Sequence, residues 1–398
     1  MTFDYENIKS KISSWNLKHQ RVFLRADLNV PLEDEQISDD LRLKRILLTL
    51  DMLLEKDATI ILATHLGRPK NQERNLSTKI IAQWLQDRGY PIHFEPNLEK
   101  VNQVTISKHR QKGIILLENL RFFEGEKSKD HEFAKILRSL ADFYINDAFG
   151  TAHRSDTSLT LLPQLFDREK RTIGPLFEQE LRILTPIKLH AAHPYIIILG
   201  GGKAKDKIKY IEGFIGKATK ILLCPTIAFP FMNIQKIPTG MFIFSDSDYN
   251  SEKLIDITEK ARKLNTQILF PKDYLVAHST LHGSLSYVDA DNIPNDGHGI
   301  SIGPKTIEIY KNEILNSQTV IFNASMGFPE QPETMKPTYE LIKALGETSG
   351  YSIVGGGDSV AAVHKISMQE KINYISTGGG AMLSYLSDNP IPTLDFIA

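Results

Sequence analysis

Short apolar runs alternate along this chain with longer segments in which apolar residues recur every three or four positions. The short runs are rich in Ile, Val, Phe and Leu, which is typical of buried parallel strands, and the longer segments are typical of connecting helices. Ten strands are predicted, at residues 21–25, 59–64, 113–117, 143–146, 195–199, 220–223, 267–270, 319–322, 351–354 and 373–376. The pattern predicts an α/β fold built from parallel sheets flanked by helices.

Helical periodicity indicates how these strands are connected. The first predicted helix presents one apolar face, made of Leu43, Ile46, Leu47, Leu50, Leu53 and Leu54. A second helix is predicted from Ser77 to a stop near Gly89. A third, over 175–190, contains Pro186, which we expect to kink or end it.

The order of these elements predicts two domains, each Rossmann-like, joined by a helix and a hinge. We place the N-terminal domain at residues 1–173, the connecting helix at 174–190 and the C-terminal domain at 191–385. The last segment, 386–398, contains two prolines close together, so we expect it to run extended and to pack back on the N-terminal domain.

Composition narrows the class of protein. A chain of 398 residues is long enough for two ordinary domain cores. A formal net charge of −1 argues against a general nucleic-acid-binding or membrane-binding surface. The single cysteine, Cys224, cannot form an internal disulfide, and we see neither a signal peptide nor an apolar span. We therefore expect a cytoplasmic protein.

Arginines are concentrated in the first half of the chain, where fourteen of the fifteen lie between Arg21 and Arg182. Arginine binds phosphate and carboxylate through a planar fork of charged donors. Basic residues follow four successive predicted strands, as Arg42, His65 with Arg68, Arg121, and Arg154. Because parallel strands end at one edge of a sheet, these residues are predicted to converge on a small, highly anionic substrate.

The loop after the first strand adds three polar candidates. Arg25, Asp27 and Asn29 occupy alternate positions, so their side chains are expected to face the same side.

Triglycine runs are confined to the second half, each between a predicted strand and a predicted helix, at 200–202, 355–357 and 378–380. Backbone N–H groups at such helix starts favour phosphate. Lys203 follows the first run, Lys207 lies one turn further, and Asp358 follows the second run, where it suits a magnesium ion carried by a nucleotide. Two anion-binding halves indicate phosphoryl transfer, which needs positioning more than a general base when the nucleophile is a carboxylate.

Six motifs give the chain a resemblance to the phosphoglycerate kinase family over essentially its whole length. They are Arg25-Ala-Asp-Leu-Asn-Val-Pro31, His65-Leu-Gly-Arg-Pro69, Asp147-Ala-Phe-Gly-Thr-Ala-His-Arg154, Asp206-Lys207, Gly355-Gly-Gly-Asp358 and Ser376-Thr-Gly-Gly-Gly380. The resemblance implies reversible phosphoryl transfer between 1,3-bisphosphoglycerate and ADP, giving 3-phosphoglycerate and ATP, by direct in-line transfer after domain closure. It also implies a monomer that uses Mg²⁺ with the nucleotide.

The same resemblance implies roles for individual residues. It assigns phosphoglycerate binding on the N-terminal domain to Arg25, Asp27, Asn29, Arg42, His65, Leu66, Gly67, Arg68, Arg121 and Arg154. It assigns nucleotide binding on the C-terminal domain to Gly200, Gly201, Lys203, Lys207, Gly299, Asn323, Glu330, Gly356, Gly357, Asp358 and Ser359. The implied catalytic groups are Arg42, Lys203 and the backbone near Gly357 and Gly380, and Asp358 is the implied magnesium ligand.

Departures from the family pattern cluster around the implied adenosine site. Residues 224–228 read Cys-Pro-Thr-Ile-Ala where the family has Gly-Gly-Gly-Met-Ala, residues 323–325 read Asn-Ala-Ser where it has Asn-Gly-Pro, and Ser301 replaces an aspartate. We expect weaker ATP binding or a relaxed choice among purine nucleotides. Asp156 replaces a histidine, and its charge is expected to oppose anion binding unless a basic residue pairs with it.

Two other functions are considered beside an active kinase. A dehydrogenase would share the α/β architecture, but the chain lacks G-x-G-x-x-G. A diverged relative that binds a ligand or partner without turnover would be expected to lose Lys203, Arg42 or Asp358, and all three are present. A diverged relative with an altered nucleotide preference stays open as an alternative.

Overall fold

The computed structural model describes residues 11–101, 113–201, 204–242 and 250–397, without the side chains of residues 204–206. Its chain divides into two compact units, Met1–Leu184 with Pro390–Ala398, and Thr185–Asn389. Two six-stranded parallel sheets flanked by helices are found in the described residues, so the predicted α/β class is confirmed. No helix in these ranges is long and apolar enough to cross a membrane.

The first unit contains a six-stranded parallel sheet in the order β5-β6-β4-β1-β7-β8 and a small β2-β3 hairpin. The strands are β1 (Arg21–Ala26), β2 (Leu32–Glu33), β3 (Gln36–Ile37), β4 (Thr59–Ala63), β5 (Ile92–Glu95), β6 (Gly113–Leu117), β7 (Phe143–Asp147) and β8 (Arg171–Ile173). Its described helices are Leu41–Glu55, Lys79–Gln86, Glu124–Lys127, His131–Ser139, Thr157–Gln164 and Pro392–Ile397. The predicted apolar face of Leu41–Glu55 packs into the core beside Val22, Leu24, Ile60 and Leu62.

The second unit contains a six-stranded parallel sheet, β11-β10-β9-β15-β16-β17, and a separate antiparallel sheet, β13-β12-β14. The strands are β9 (Tyr195–Leu199), β10 (Lys220–Leu223), β11 (Gln267–Leu269), β12 (Asp273–His278), β13 (Leu285–Asp289), β14 (Gly297–Ile302), β15 (Thr319–Asn323), β16 (Tyr351–Gly355) and β17 (Tyr374–Ser376). Its described helices are Ala204–Phe214, Pro225–Ile234, Ser251–Lys263, Pro304–Leu315, Pro332–Glu347, Gly357–Lys365 and Gly379–Leu386.

All ten predicted strands are present within a residue or two of the expected bounds, but the antiparallel sheet and the short strands of the first unit were not predicted. The helix Pro175–His190 continues through Pro186, so the prediction that it could end there is wrong. The boundary between the two units, Leu184 to Thr185, falls inside this helix.

The prediction of an extended tail is also wrong, because Pro392–Ile397 is a helix that packs on Thr157–Gln164 in the first unit. Pro392 is the first helical residue, a position where the missing N–H of proline costs no hydrogen bond. Thr393, Leu394 and Ile397 are buried, and this packing stabilises a helix too short to form alone.

Candidate active site

Four neighbouring strands of the first unit end at one edge of the sheet, in the order β6-β4-β1-β7. Each is followed by residues that the sequence singled out, namely Arg121 after β6, His65 to Arg68 after β4, Asp27 and Asn29 after β1, and Arg154 after β7. The pairings between these strands are all parallel, so their carboxyl ends share one edge. The topology thus places four candidate segments side by side.

The loop after β1 holds the guanidinium group of Arg42. Nη1 of Arg42 donates hydrogen bonds to Oδ1 of Asp27 at 3.0 Å and to the backbone oxygen of Asn29 at 2.8 Å. The side-chain oxygen of Asn29 in turn accepts a hydrogen bond from the backbone N–H of Gly67 at 2.7 Å. These contacts link the loops after β1 and β4 and fix the direction of a positive charge at the sheet edge.

Arg25 has different surroundings from Asp27 and Asn29. It lies within β1 and is completely buried, with Nε donating to Oγ of Ser158 at 2.9 Å and Nη1 to the backbone oxygen of Ala26 at 2.6 Å. The structure therefore places its guanidinium in the interior, whereas Asp27 and Asn29 lie half-buried in the loop.

Asn119 organises the loops that carry His65 and Arg121. Its side-chain oxygen accepts hydrogen bonds from the backbone N–H groups of Leu66 and Arg121, at 3.2 and 3.1 Å, and its amide donates to the backbone oxygen of Leu66 at 2.7 Å. The sequence pattern did not single out Asn119. Its role can be recognised only once the strand pairing shows that Asn119 is buried between two segments that follow strands.

Gly67 and Arg121 form the next contact along this edge. Nη1 of Arg121 donates to the backbone oxygen of Gly67, and the side chain of Arg121 is only 9% exposed. Gly67 has a φ of +62°, and a Cβ there would lie 2.7 Å from a methyl carbon of Leu76, so a larger residue would be strained and would displace Leu76. A cavity of about 730 Å³ beside Arg121 is lined by residues 69–72, 121–124, 127 and 128. Arg68 is exposed beside this edge.

The pKa of His65 reflects the positive charge at the β6-β4-β1-β7 edge of the sheet. Its imidazole is buried, and Nδ1 has no hydrogen-bond partner among the described residues. Burial, followed by the positive charges of Arg25, Arg154 and Arg42, holds the pKa of His65 well below its ordinary value. His65 is therefore neutral at pH 7, and the three arginines act on one buried point, as expected for a site that favours an anion.

Asn323 joins two strand ends in the second unit. It closes β15, between β9 and β16, and accepts hydrogen bonds from Nζ of Lys207 on its side-chain oxygen at 2.6 Å and its backbone oxygen at 3.1 Å. Nζ of Lys207 also donates to the backbone oxygen of Gly200, and the amide of Asn323 donates to the backbone oxygen of Gly355. The first two glycine runs are thereby tied to one side chain.

Lys207 is charged but engaged within the protein. Burial lowers the pKa of Lys207 to about 8, and the nearby Cys224 and Asp358 act in the opposite direction. An ammonium group has three N–H donors, and Gly200 and Asn323 provide three acceptors for them. In this state Lys207 supports the glycine turn rather than pointing a free donor at a ligand.

The second and third glycine runs touch each other. A Cβ at Gly379 would lie 2.5 Å from Cα of Gly356, and Gly356 has a φ of +103°. This close approach brings the starts of the helices Gly357–Lys365 and Gly379–Leu386 together, with Gly380 in the first turn of the latter. Two helix N-termini at one place favour an anion.

The residues around Gly357 are open to solvent. No atom lies within 4 Å of where a Cβ of Gly357 would be, and Asp358 is exposed in the first turn of its helix. Ser359 faces inward, with Oγ donating to the backbone oxygen of Ala324 at 2.9 Å. Glu330 is exposed in the turn that precedes the helix Pro332–Glu347.

Lys203 and Gly202 lie outside the described residues. The described residues on either side are Gly201, with a φ of +99°, and Ala204, where the helix Ala204–Phe214 begins.

Comparison with known proteins identifies the family. The profile described as phosphoglycerate kinase matches residues 12–389. The chain is 36% identical over 381 residues to the phosphoglycerate kinase of Dictyoglomus turgidum, covering 95% of both chains, and 35% identical over 399 residues to that of Thermosipho africanus, covering 98% of both. The solved phosphoglycerate kinase of Pyrococcus horikoshii is similar with a TM-score of 0.79, 28% identity and 97% coverage of both chains. The chain belongs to the phosphoglycerate kinase family.

Membership of the phosphoglycerate kinase family confirms the resemblance drawn from the six motifs and favours the kinase over the dehydrogenase. The substitutions in the second unit can therefore be examined as departures from the pattern of this family. Cys224 is the N-cap of the helix Pro225–Ile234, and its Sγ would lie 2.9 Å from a Cβ at Gly200. Pro225 and Ile227 are buried, whereas Thr226 is half-exposed. Among residues 224–227, Thr226 is therefore the one whose side chain is available to a ligand.

The structure also shows the surroundings of Gly299, a residue of the implied nucleotide site, and of two other departures from the phosphoglycerate kinase pattern, Ser301 in the second unit and Asp156 in the first. Gly299 in β14 lies under the ring of Phe229, since a Cβ there would be 2.5 Å from Cζ of Phe229. Ser301 is buried, and its hydroxyl has no hydrogen-bond partner among the described residues. Asp156 precedes the helix Thr157–Gln164 as its N-cap, and no ion pair within the described ranges neutralises its carboxylate.

Proposed function

We propose that the chain catalyses reversible phosphoryl transfer between 1,3-bisphosphoglycerate and ADP, producing 3-phosphoglycerate and ATP. The observation that carries this proposal is the family match over residues 12–389. It is supported by two separate anion-favouring edges, one lined by arginines and the other by helix starts that follow glycine runs.

On the first unit, the proposed phosphoglycerate site lies along the β6-β4-β1-β7 edge. Asp27, Asn29, His65 with Leu66 and Gly67, Arg68, Arg121 and Arg154 bind the substrate, and Arg25 supports them from the interior. Arg42, held by Asp27 and Asn29, stabilises the charge on the transferring phosphoryl group. The substrate carboxylate is already ionised at neutral pH and attacks without a general base.

On the second unit, the proposed nucleotide site surrounds Asn323. Lys203 and the backbone N–H groups near Gly357 and Gly380 neutralise the phosphoryl group during in-line transfer. Lys207 maintains the glycine turn through its three hydrogen bonds and adds positive charge near the phosphates. Gly299, Glu330 and Ser359 complete this site. Closure of the two units before transfer is part of the proposal, as are a monomeric state and a cytoplasmic location.

Magnesium is proposed to be held by Asp358 together with the nucleotide. The carboxylate of Asp358 is exposed and takes part in no hydrogen bond or ion pair with any described residue, so it is available to a hard cation. No cluster of three or more acidic, histidine or cysteine residues that could hold a metal occurs in the described ranges. The other ligands would therefore be phosphate oxygens and water, and the ion would neutralise phosphate charge.

Replacing Asp358 by asparagine is expected to weaken MgADP and MgATP binding by about tenfold or more, because an amide oxygen is a poorer magnesium ligand than a carboxylate. Binding of 3-phosphoglycerate should stay within about twofold of wild type, since its proposed site lies on the other unit. Isothermal titration calorimetry with each ligand separately measures both values. Equal losses for the two ligands would contradict the assignment.

The substituted segment at residues 224–228 is expected to relax the choice of nucleotide base. Thr226 replaces a glycine of the family pattern and is half-exposed, two residues after Cys224, whose Sγ would lie 2.9 Å from a Cβ at Gly200. Specificity constants for ATP, GTP and ITP at one free magnesium concentration should differ by less than about tenfold, because a base site without dedicated hydrogen bonds discriminates weakly. Strict ATP selectivity with ordinary affinity would show that the substitution has no effect on the base.

The proposed function is tested by ATP-dependent phosphorylation of 3-phosphoglycerate, coupled to reduction of the product by a dehydrogenase. We expect turnover that requires all three of ATP, 3-phosphoglycerate and Mg²⁺. Binding of both ligands without turnover would instead favour the binding-only alternative. Size-exclusion chromatography with light scattering tests whether the chain is a monomer in solution.

A further inference from the structure

A carboxylate that belongs to neither proposed site is buried in the first unit. The side chain of Glu126, in the short helix Glu124–Lys127, has no exposed surface. Its Oε1 accepts a hydrogen bond from Oγ of Ser158 at 2.6 Å, and its Oε2 accepts one from the backbone N–H of Ser158 at 3.0 Å. Because a buried carboxylate is costly without such donors, the contact strongly constrains where the two residues lie.

Ser158 also constrains the position of a third segment, strand β1, through a hydrogen bond. Its hydroxyl has one proton, which goes to Glu126, so Oγ is the acceptor for Nε of Arg25 at 2.9 Å. Glu126 therefore acts, through one hydroxyl, on the helix Thr157–Gln164 and on strand β1. The buried Arg25 gains an anion near its charge by the same contact.

A second contact joins the same two segments. Oγ1 of Thr157 donates to the backbone oxygen of Gly125 at 2.6 Å and accepts a hydrogen bond from the backbone N–H of Asp130 at 3.1 Å. Adjacent residues of one segment, Thr157 and Ser158, thus bind adjacent residues of the other, Gly125 and Glu126. Two neighbouring links fix both the distance and the orientation of the segments.

Each linked segment follows one of the proposed substrate arginines. Arg121 lies five residues before Glu126, in the 3₁₀ turn Leu120–Phe122, and Arg154 lies four residues before Ser158. Glu126 and Ser158 are fully buried, so neither can touch the substrate. Any effect they have on the site is therefore indirect, through the position of the arginine segments or through Arg25.

We propose that Glu126, through Ser158, is a positioning residue that holds the Arg121 and Arg154 segments at the separation needed to bind phosphoglycerate. The proposal rests on the proposed function of this edge. It predicts a selective effect on phosphoglycerate affinity, because the nucleotide site lies on the other unit.

The ionisation of Glu126 gives this proposal a pH signature. Burial raises the pKa of Glu126 to about 7, the charge of Arg25 opposes this, and Asp156 adds to it. Both carboxylate oxygens are acceptors only while the group is ionised. The link to Ser158 is therefore largely intact at pH 8, half lost near pH 7 and weaker still at pH 6, so the KM for 3-phosphoglycerate should rise from pH 8 to pH 6.

The test compares wild type, Glu126→Gln, Ser158→Ala and the control Glu132→Gln, an exposed residue of the next helix. At pH 8, Glu126→Gln and Ser158→Ala should raise the KM and Kd for 3-phosphoglycerate about tenfold, since small misplacements at a site have large effects. The kcat and the KM for MgATP should stay within about twofold, and the control should match wild type. At pH 6, the KM of wild type for 3-phosphoglycerate should approach that of Glu126→Gln. The KM of Glu126→Gln should itself change with pH only through the ionisation of 3-phosphoglycerate.

An unchanged KM for 3-phosphoglycerate at pH 8, or equal rises in the KM values of both substrates, would overturn the proposal. Circular dichroism and thermal denaturation confirm folding, and if Glu126→Gln does not fold, Ser158→Ala carries the same comparison. Absence of turnover by the wild-type chain would instead refute the proposed function, and it would be seen before any variant is made.

Discussion

Replacing Lys203 by alanine is expected to lower kcat by about a hundredfold to a thousandfold, with much smaller changes in both KM values. A positive charge aimed at the transferring phosphoryl group acts mainly in the transition state, and loss of one such group costs about 3–4 kcal/mol. Lys203 is the stronger candidate of the two lysines, because the three donors of Lys207 are already used by Gly200 and Asn323. Steady-state kinetics with both substrates varied measures the effect.

Lys209→Ala is the matched control for Lys203→Ala. Lys209 is an exposed residue of the helix Ala204–Phe214, and its ammonium group lies over the ring of Tyr210 at 5.0 Å. The same loss of charge should leave kcat within about twofold of wild type there. Near-normal turnover of Lys203→Ala would remove Lys203 from the catalytic role, and an equal loss in both variants would point to a general effect of charge.

Replacing Gly379 by alanine is expected to reduce the free energy of unfolding by about 2–3 kcal/mol and to weaken MgADP binding at the same time. The new Cβ would lie 2.5 Å from Cα of Gly356 and 2.9 Å from Nδ2 of Asn323. Overpacking against backbone of this kind costs about 1–3 kcal/mol, because the backbone must move. Movement of Asn323 would also disturb the hydrogen bonds of Lys207. Denaturant unfolding and calorimetry with MgADP measure the two effects.

Gly357→Ala is the stability control, since no atom lies within 4 Å of where its Cβ would be. Its unfolding free energy should be unchanged or slightly higher, because alanine favours helix more than glycine does. If Gly379→Ala were as stable as Gly357→Ala, the close approach of the two glycine runs would not be a constraint in solution.

Several features could be read from the sequence because they depend on residues close together in the chain. Strand β1 follows from an apolar run, and the buried face of the helix Leu41–Glu55 follows from helical spacing. The placing of basic residues after four strands also followed, since parallel strands share the direction of their ends.

Other features were not predicted, because the segments they pack against are far away in the sequence. The helix Pro392–Ile397 was missed because its packing on Thr157–Gln164 overrides the weak helix preference of a proline-rich segment. The sheet β13-β12-β14 was missed because its strands pair antiparallel and follow one another without helices between them. A register shift at Leu275 also interrupts the pairing of β12 with β14. Local periodicity contains no information about either contact.

The sequence by itself determined the α/β class, the family and the segments that carry the anion-binding residues, because motifs and apolar periodicity are local. Only the tertiary structure decided which of those residues work together. Arg25 has the alternate spacing of Asp27 and Asn29, yet its guanidinium is buried against Ser158, 133 residues away. Lys207 and Asn323, 116 residues apart, likewise meet only after the strands align. Such contacts depend on burial and strand order, which the complete fold fixes.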